Sequence, residues 1–227
     1  MTELFDSYRD SYHDVVQSSI DFAGLPHSFF MRAKADLLRE LIARRLGPEK
    51  PALLDVGCGI GSFHPLLTDM VGLLTGIDVS SASIAQARAD NSHGDYRDFN
   101  GRDFPFDDAS FDLATAICVM HHVPPAERAN IMSEMRRVVR PGGLVCVIEH
   151  NPLNPLTRLA VSRCEFDRDA VLLGAGATRK LMAASGLRQI DARYFLLLPW
   201  QANSARRVES ALGNVPLGAQ YAAFGTV

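Results

Sequence analysis

An apolar run that passes straight into three closely spaced glycines constrains this chain more than any other feature: Leu53-Leu54-Asp55-Val56-Gly57-Cys58-Gly59-Ile60-Gly61. The run has strand character, and Gly57, Gly59 and Gly61 let the backbone take positive φ angles and come close to a bound molecule. A helix starting beyond such a turn offers unpaired N–H groups to a carboxylate or a phosphate. A second apolar run, Gly72-Leu73-Leu74-Thr75-Gly76-Ile77, ends in Asp78, at the distance where a βαβ unit places a carboxylate on a ribose diol. The pair predicts a parallel sheet with a nucleoside-type ligand at its carboxyl edge. A dinucleotide fingerprint, G-x-G-x-x-G, would need glycine where this chain has Ser62, which disfavours a nicotinamide-dependent oxidoreductase.

With the acid two positions before the first glycine included, the segment reads Asp55-x-Gly57-x-Gly59-x-Gly61. It resembles motif I of the class I S-adenosylmethionine (SAM) dependent methyltransferases. His93-Gly94-Asp95-Tyr96 is similar to the end of their third strand, where a carboxylate accepts the adenine amino group; Asp98 competes with Asp95 for that role. Phe104-Pro105-Phe106, Ser110-Phe111-Asp112 and Met120-His121-His122-Val123-Pro124 resemble segments of the small-molecule, Methyltransferase-11-like enzymes related to quinone biosynthesis. Arg140-Pro141-Gly142-Gly143 resembles their turn into strand five, so the likeness covers about Leu53 to Glu149.

The resemblance implies SAM as cofactor and a small-molecule methyl acceptor with an O, N or C nucleophile. Cofactor contacts are implied for Asp55, Gly57, Cys58, Gly59 and Gly61 in the first turn, and for Asp78 and Val79 after the second strand. Asp95, Tyr96 and Cys118 are implied further along, and Tyr12, on the amphipathic start of the chain, is expected to fold over the methionine end of SAM. A sulfonium methyl is already electrophilic, so the chemistry needs mainly a nucleophile held in line with water excluded. Where the acceptor carries a proton, a general base is useful, and His121, His122 and His150 are the candidates. A SAM-binding regulatory or partner protein without methyl transfer is the alternative reading.

The expected architecture is α/β: a Rossmann-like, doubly wound, seven-stranded, mostly parallel sheet with an antiparallel last strand and N-terminal lid helices. Residues 1–48 form the helical cap, 49–150 the SAM-binding core and 151–227 the substrate-side segment with the final strands, all within one methyltransferase domain. Apolar residues Met31, Ala35, Leu38 and Ile42 recur at helical spacing up to Gly47-Pro48. Helices are expected near Ser62–Met70, at Ser80–Asn91 with Ser80 or Ser81 as cap, after Pro124-Pro125, and at Thr178–Ser185. The stretch from His150 to Gly176 reads as irregular; strand six is expected at Leu187–Leu198, and Ala219–Val227 as an antiparallel strand beside strand five.

A net charge of −3 gives no general attraction to polyanions, so nucleic acid is not an expected partner. The polar start of the chain has neither the length nor the layout of a membrane anchor or signal peptide, and the expected location is cytoplasmic with no membrane insertion. Cys58, Cys118, Cys146 and Cys164 form no C-x-x-C pair, and no metal site is indicated by spacing. Phe29, Phe30, Phe166, Leu172 and Leu173 offer apolar surface for an acceptor pocket, and a homodimer is kept as a candidate assembly.

Overall fold

The computed structural model describes residues 17–197 and 212–227, without the side chains of Ala23 and Phe166. Seven strands form one sheet: β1 Ala52–Val56, β2 Leu73–Asp78, β3 Gly94–Asp98, β4 Phe111–Ile117, β5 Val139–His150, β6 Arg188–Phe195 and β7 Gln220–Thr226. Their order across the sheet is β3-β2-β1-β4-β5-β7-β6. Pairings from β3 through β5 are parallel, and β7 lies antiparallel between β5 and β6. The final strand therefore sits beside β5 as expected. The reversal of strand order falls between β1 and β4, where ligands of open α/β sheets bind outside the carboxyl ends.

The helices that follow in chain order among the described residues are α1 His27–Arg45, α2 Ser81–Asp90, α3 Arg128–Val138, α4 Pro155–Arg163 and α5 Ala175–Ala184. Alternation along each strand splits the core in two. Leu53, Leu113 and Leu144 join Leu38, Leu41 and Ile42 of α1 on one face. Leu54, Ala114 and Val145 join Met132 and Met135 of α3 and Met182 of α5 on the other. Asp55 shares the α1 side with Leu53, which puts its carboxylate under the glycine turn.

Local chemistry accounts for where these elements begin. Ser80 accepts the Ser83 N–H (3.0 Å) and caps α2, the first of the two serines considered. Asn154 accepts the Thr157 N–H and Pro155 occupies the first turn of α4, so the segment expected to be irregular contains a helix. Its Asn-Pro is a start signal, since proline loses nothing at a position whose N–H has no helical partner.

Ser62–Met70 differs in the other direction. It forms tight turns around a short 3-10 element at His64–Leu66, with His64 bonding back to Gly61 and Leu67 to His64. Pro65 has no N–H to give the Gly61 carbonyl, and the buried His64 ring is held between Asp55 and Tyr96. After Pro124-Pro125 the chain makes a turn before α3 opens at Arg128. Strand six ends at Phe195, and residue 198, to which it was expected to run, lies outside the described residues. Among the described residues no helix is long and apolar enough to cross a membrane.

Candidate functional site

The carboxyl ends of β2, β1, β4 and β5 open into one cavity of about 1020 Å³. Its floor is the glycine turn. Gly57 and Cys58 both donate to the Ile77 carbonyl (2.7 and 3.0 Å), which fastens the turn to the end of β2. Gly57, Gly59 and Gly61 have φ of +72°, +54° and +72°. A Cβ on Gly57 would come within 2.6 Å of the Val119 methyls, whereas one on Gly59 would meet nothing within 4 Å. Glycine is thus required at 57 by close approach and at 59 by backbone conformation.

Beneath the turn runs a buried polar chain. Thr115 Oγ1 donates to Asp55 Oδ1 (2.7 Å), Asp55 Oδ2 lies 3.1 Å from His64 Nε2, and His64 Nδ1 lies 2.6 Å from the Tyr96 hydroxyl. Asp55 and Tyr96 thereby hold up the turn. Burial, and then the charge of Asp55, push the Cys58 thiol well above its ordinary value of 9.0.

Asp78 ties the turn to α2. Its Oδ2 accepts the Gly59 N–H (2.8 Å) and its Oδ1 the Ser80 N–H (2.9 Å). Burial raises its pKa, and these two N–H groups work against the rise. Val79 lies beside it, exposed on the cavity wall. Asp95 is not brought to this wall: its side chain is 46% exposed and paired with Arg97 at 2.7 Å. Asp98 is the residue of β3 in register with Asp78, at the carboxyl end, and it too is absent from the cavity lining. Phe99 and Asn100 line the cavity in that region. Tyr12 lies outside the described residues.

At the end of β4 the chain turns through Cys118, which holds a left-handed φ of +57° without being glycine. Buried Lys34 of α1 donates to the Cys118 sulfur (3.4 Å), and burial raises that thiol's pKa. From β7, Gln220 reaches the same sulfur (3.7 Å), while its Oε1 is buried with no hydrogen-bond partner among the described residues.

The histidines meet at the ends of β4 and β5. Fully buried Glu149 accepts the Val119 N–H through Oε1 (3.0 Å) and holds His121 Nδ1 at 2.6 Å through Oε2. On the other side of the ring, His121 Nε2 lies 3.2 Å from Asp167 Oδ1, and His122 Nε2 lies 3.3 Å from the same oxygen. Burial opposes charge on His121, but Glu149 and Asp167 outweigh it and raise its pKa well above 6.5. Burial also works against the Glu149 carboxylate, which the adjacent His121 nevertheless holds below its ordinary value. Asp167 is held low in the same way by His121 and His122. His150 moves down to about 4, through burial and then the charge on His121.

Relatives supply the context for this edge. Residues 54–147 match the model of a family described as "Methyltransferase domain". A protein named "Probable S-adenosylmethionine-dependent methyltransferase" from Mycolicibacterium smegmatis is 30% identical over 63% of this chain and 59% of its own. A ubiquinone biosynthesis O-methyltransferase from Pseudomonas paraeruginosa is 30% identical over 64% of each chain. The chain thus spans about three fifths of the length of these relatives. In fold it is similar to a SAM-dependent methyltransferase from Thermotoga maritima, with a TM-score of 0.67 at 19% identity over 100% of this chain and 99% of that one.

Over residues 54–147 the chain is thus similar to the SAM-dependent methyltransferase family.

The glycine turn suits this family's cofactor, because Gly59 leaves open space where any side chain would stand in the cavity. Lys34, Asp167 and Gln220 had no signal in the sequence. Lysine at a buried helix position looks like any solvated lysine, and Asp167 is separated from its histidine partners by 45 residues or more in a segment without periodicity. His121, His150 and Asp167 form one group with donor atoms within 4.8 Å of one another, which spacing along the chain had not indicated. Phe29 and Phe30 line the cavity, Leu173 is core, Leu172 faces a smaller hollow, and the Phe166 side chain is outside those described.

Proposed function

We propose that this protein transfers a methyl group from SAM to an O, N or C nucleophile of a small, largely apolar molecule. The observation that carries this reading is the continuity of one cavity from Asp78 past the glycine turn to the histidine cluster. Ligand pockets usually fill about 300–1000 Å³, and a volume at the top of that range leaves room for a cofactor and an acceptor together. Three strand spacings, about 14 Å, separate the end of β2 from the end of β5. That span suits a nucleoside at one side and an acceptor at the other.

When bound, SAM supplies a methyl group made electrophilic by its sulfonium. Asp78 would accept hydrogen bonds from the ribose hydroxyls, and the Gly57–Gly61 turn would lie against the amino-acid portion. The buried ammonium of Lys34 needs an anion in a region of low polarity, and the cofactor's carboxylate meets that need. Phe29, Phe30 and Met31 supply apolar wall for the acceptor and exclude water. Gln220 Oε1, which has no partner among the described residues, favours an acceptor that carries an N–H or O–H donor. His121 has both ring nitrogens committed to carboxylates, so the acceptor's polar group faces His122 and His150 instead.

The likeness to a ubiquinone biosynthesis O-methyltransferase supports hydroxylated aromatics as first acceptors to try, in quinone, lipid or secondary metabolism. The test follows S-adenosylhomocysteine release with labelled SAM across phenols, quinols and amines. Label in an acceptor supports the reading. Saturable SAM binding with no transfer to any acceptor or cell extract would favour the regulatory alternative.

A further inference from the structure

We propose that His121, His150 and Asp167 bind a divalent first-row transition ion of the zinc type, with His122 beside its open position. One donor atom from each of the three lies within 4.8 Å of the others. A tetrahedral ion with bonds of about 2.0–2.1 Å holds its ligands about 3.3–3.4 Å apart. His121 Nε2 is already 3.2 Å from Asp167 Oδ1, close to the length of this edge of the tetrahedron, and the proton the ring holds toward Asp167 leaves to solvent as the ion enters.

The surroundings are those of a ligand set as well. Behind His121, Glu149 Oε2 takes Nδ1 at 2.6 Å, which fixes the ring and leaves Nε2 as the nitrogen aimed at Asp167 and the cavity. Carboxylates placed behind a metal-bound imidazole orient the ring and raise its basicity. Glu149 is itself anchored by the Val119 N–H, so the ring cannot swing away without breaking the turn after β4. Two carboxylates, Glu149 and Asp167, balance the two charges of the ion. Two imidazoles and one carboxylate suit zinc, iron, cobalt or nickel better than magnesium or calcium, which favour all-oxygen shells.

His121, His122, His150 and Asp167 all line the cavity, and three protein ligands leave a coordination position open on that side. His122 Nε2, 3.3 Å from Asp167 Oδ1, stands where it can hydrogen-bond whatever fills this position. Resting on the methyl-transfer reading, the occupant would be a hydroxyl or carboxylate of the acceptor, and the ion would select acceptors with such a group next to the methylated atom.

Untagged full-length protein, stripped with chelator, is titrated with zinc against a chromophoric competitor, and separately with cobalt followed by visible absorption. One equivalent of each is expected, with cobalt bands of a nitrogen and oxygen site. Affinity should fall at least 100-fold in Asp167→Asn and His150→Ala and stay level in His93→Ala, an exposed histidine. Asp167→Asn is nearly isosteric and is read beside its melting curve, so loss of fold is separated from loss of a ligand. Stoichiometry well below one, or equal zinc affinity in folded Asp167→Asn and the unaltered protein, overturns the site. S-adenosylhomocysteine affinity is measured in parallel: its absence refutes the methyl-transfer reading alone, and intact nucleoside binding without zinc uptake refutes the ion site alone.

Discussion

Replacing Asp78 by asparagine tests the cofactor edge most directly. In the protein both carboxylate oxygens are engaged, Oδ2 with the Gly59 N–H at 2.8 Å and Oδ1 with the Ser80 N–H at 2.9 Å. An amide has one acceptor oxygen, so one N–H keeps a partner and the other faces an NH₂ group. Leaving a buried donor unsatisfied costs about 1–3 kcal/mol. At about 2–4 °C per kcal/mol for a chain of this size, the melting temperature should fall by about 2–12 °C. Ligand binding loses more. Two hydrogen bonds from ribose hydroxyls to a charged acceptor are worth about 1.5–3 kcal/mol each, which predicts a loss of about 10²- to 10⁴-fold in affinity. Calorimetric titration with S-adenosylhomocysteine measures this, and Asp95→Asn serves as control, because that exposed carboxylate is paired with Arg97 and should change nothing. Affinity for Asp78→Asn within threefold of the unaltered protein would refute the assignment of Asp78 to the nucleoside. Because burial raises the Asp78 pKa, binding to its ionised form should also fade on acidification with a midpoint above the ordinary 3.8, and this dependence should vanish in the variant.

Gly57→Ala adds strain of about 1–2 kcal/mol for the left-handed backbone and about 1–3 kcal/mol for contact with Val119, while Gly59→Ala adds only the first. Thermal unfolding should therefore rank Gly57→Ala below Gly59→Ala, with Gly59→Ala losing nucleoside affinity because its methyl enters the cavity; the opposite ranking would contradict the turn geometry. Glu134 is held below its ordinary 4.5 chiefly by its hydrogen bonds with Arg137, so Glu134→Gln should cost about 1 kcal/mol, and the gap should be complete above that value and close as pH falls through the depressed one. A pH-independent gap in denaturant titrations would show that the carboxylate's charge is irrelevant there. Burial raises the thiols of Cys58, Cys118 and Cys146, the last to about 12, so iodoacetamide at pH 8 should leave all three unlabelled until urea is added. Rapid labelling of Cys58 in folded protein, read by mass spectrometry, would be inconsistent with its seat under the turn.

The parts of the fold legible in sequence are those written by local chemistry. Gly57, Gly59 and Gly61 after an apolar run, Asp78 at the end of the next, and Ser80 as a cap each carry a signal in a few adjacent residues, and the strand at the chain's end follows from its apolar run and the family resemblance. Asn154-Pro155 was equally local but ambiguous, since the same pair opens a helix or stiffens a loop. The Ser62–Met70 turns were not legible, because the demand that shapes them comes from Asp55 and Tyr96, which reach His64 only after the sheet is assembled. The candidate site divides along the same line. The side proposed for the cofactor lies in the two βα turns, whereas the set formed by His121, Glu149, His150 and Asp167 arises from three separate elements and exists only in three dimensions. Asp95 illustrates the limit from the other side: an acid near the expected place, in a strand that runs on to Asp98 and leaves Asp95 facing solvent.

The file of side chains from Thr115 through Asp55 and His64 to Tyr96 has a bearing on how this protein can change. Every polar atom in that file is spoken for by a neighbour within the protein, so the shelf above it keeps its form whether or not anything rests on it. Entropy given up at folding is not given up again on encounter, which favours tight capture of the nucleoside by a ready-made seat. On the methyl-transfer reading, variation in the acceptor would then fall to the cavity walls supplied by α1 and α4. The molecule reads as a fixed anvil beneath interchangeable dies.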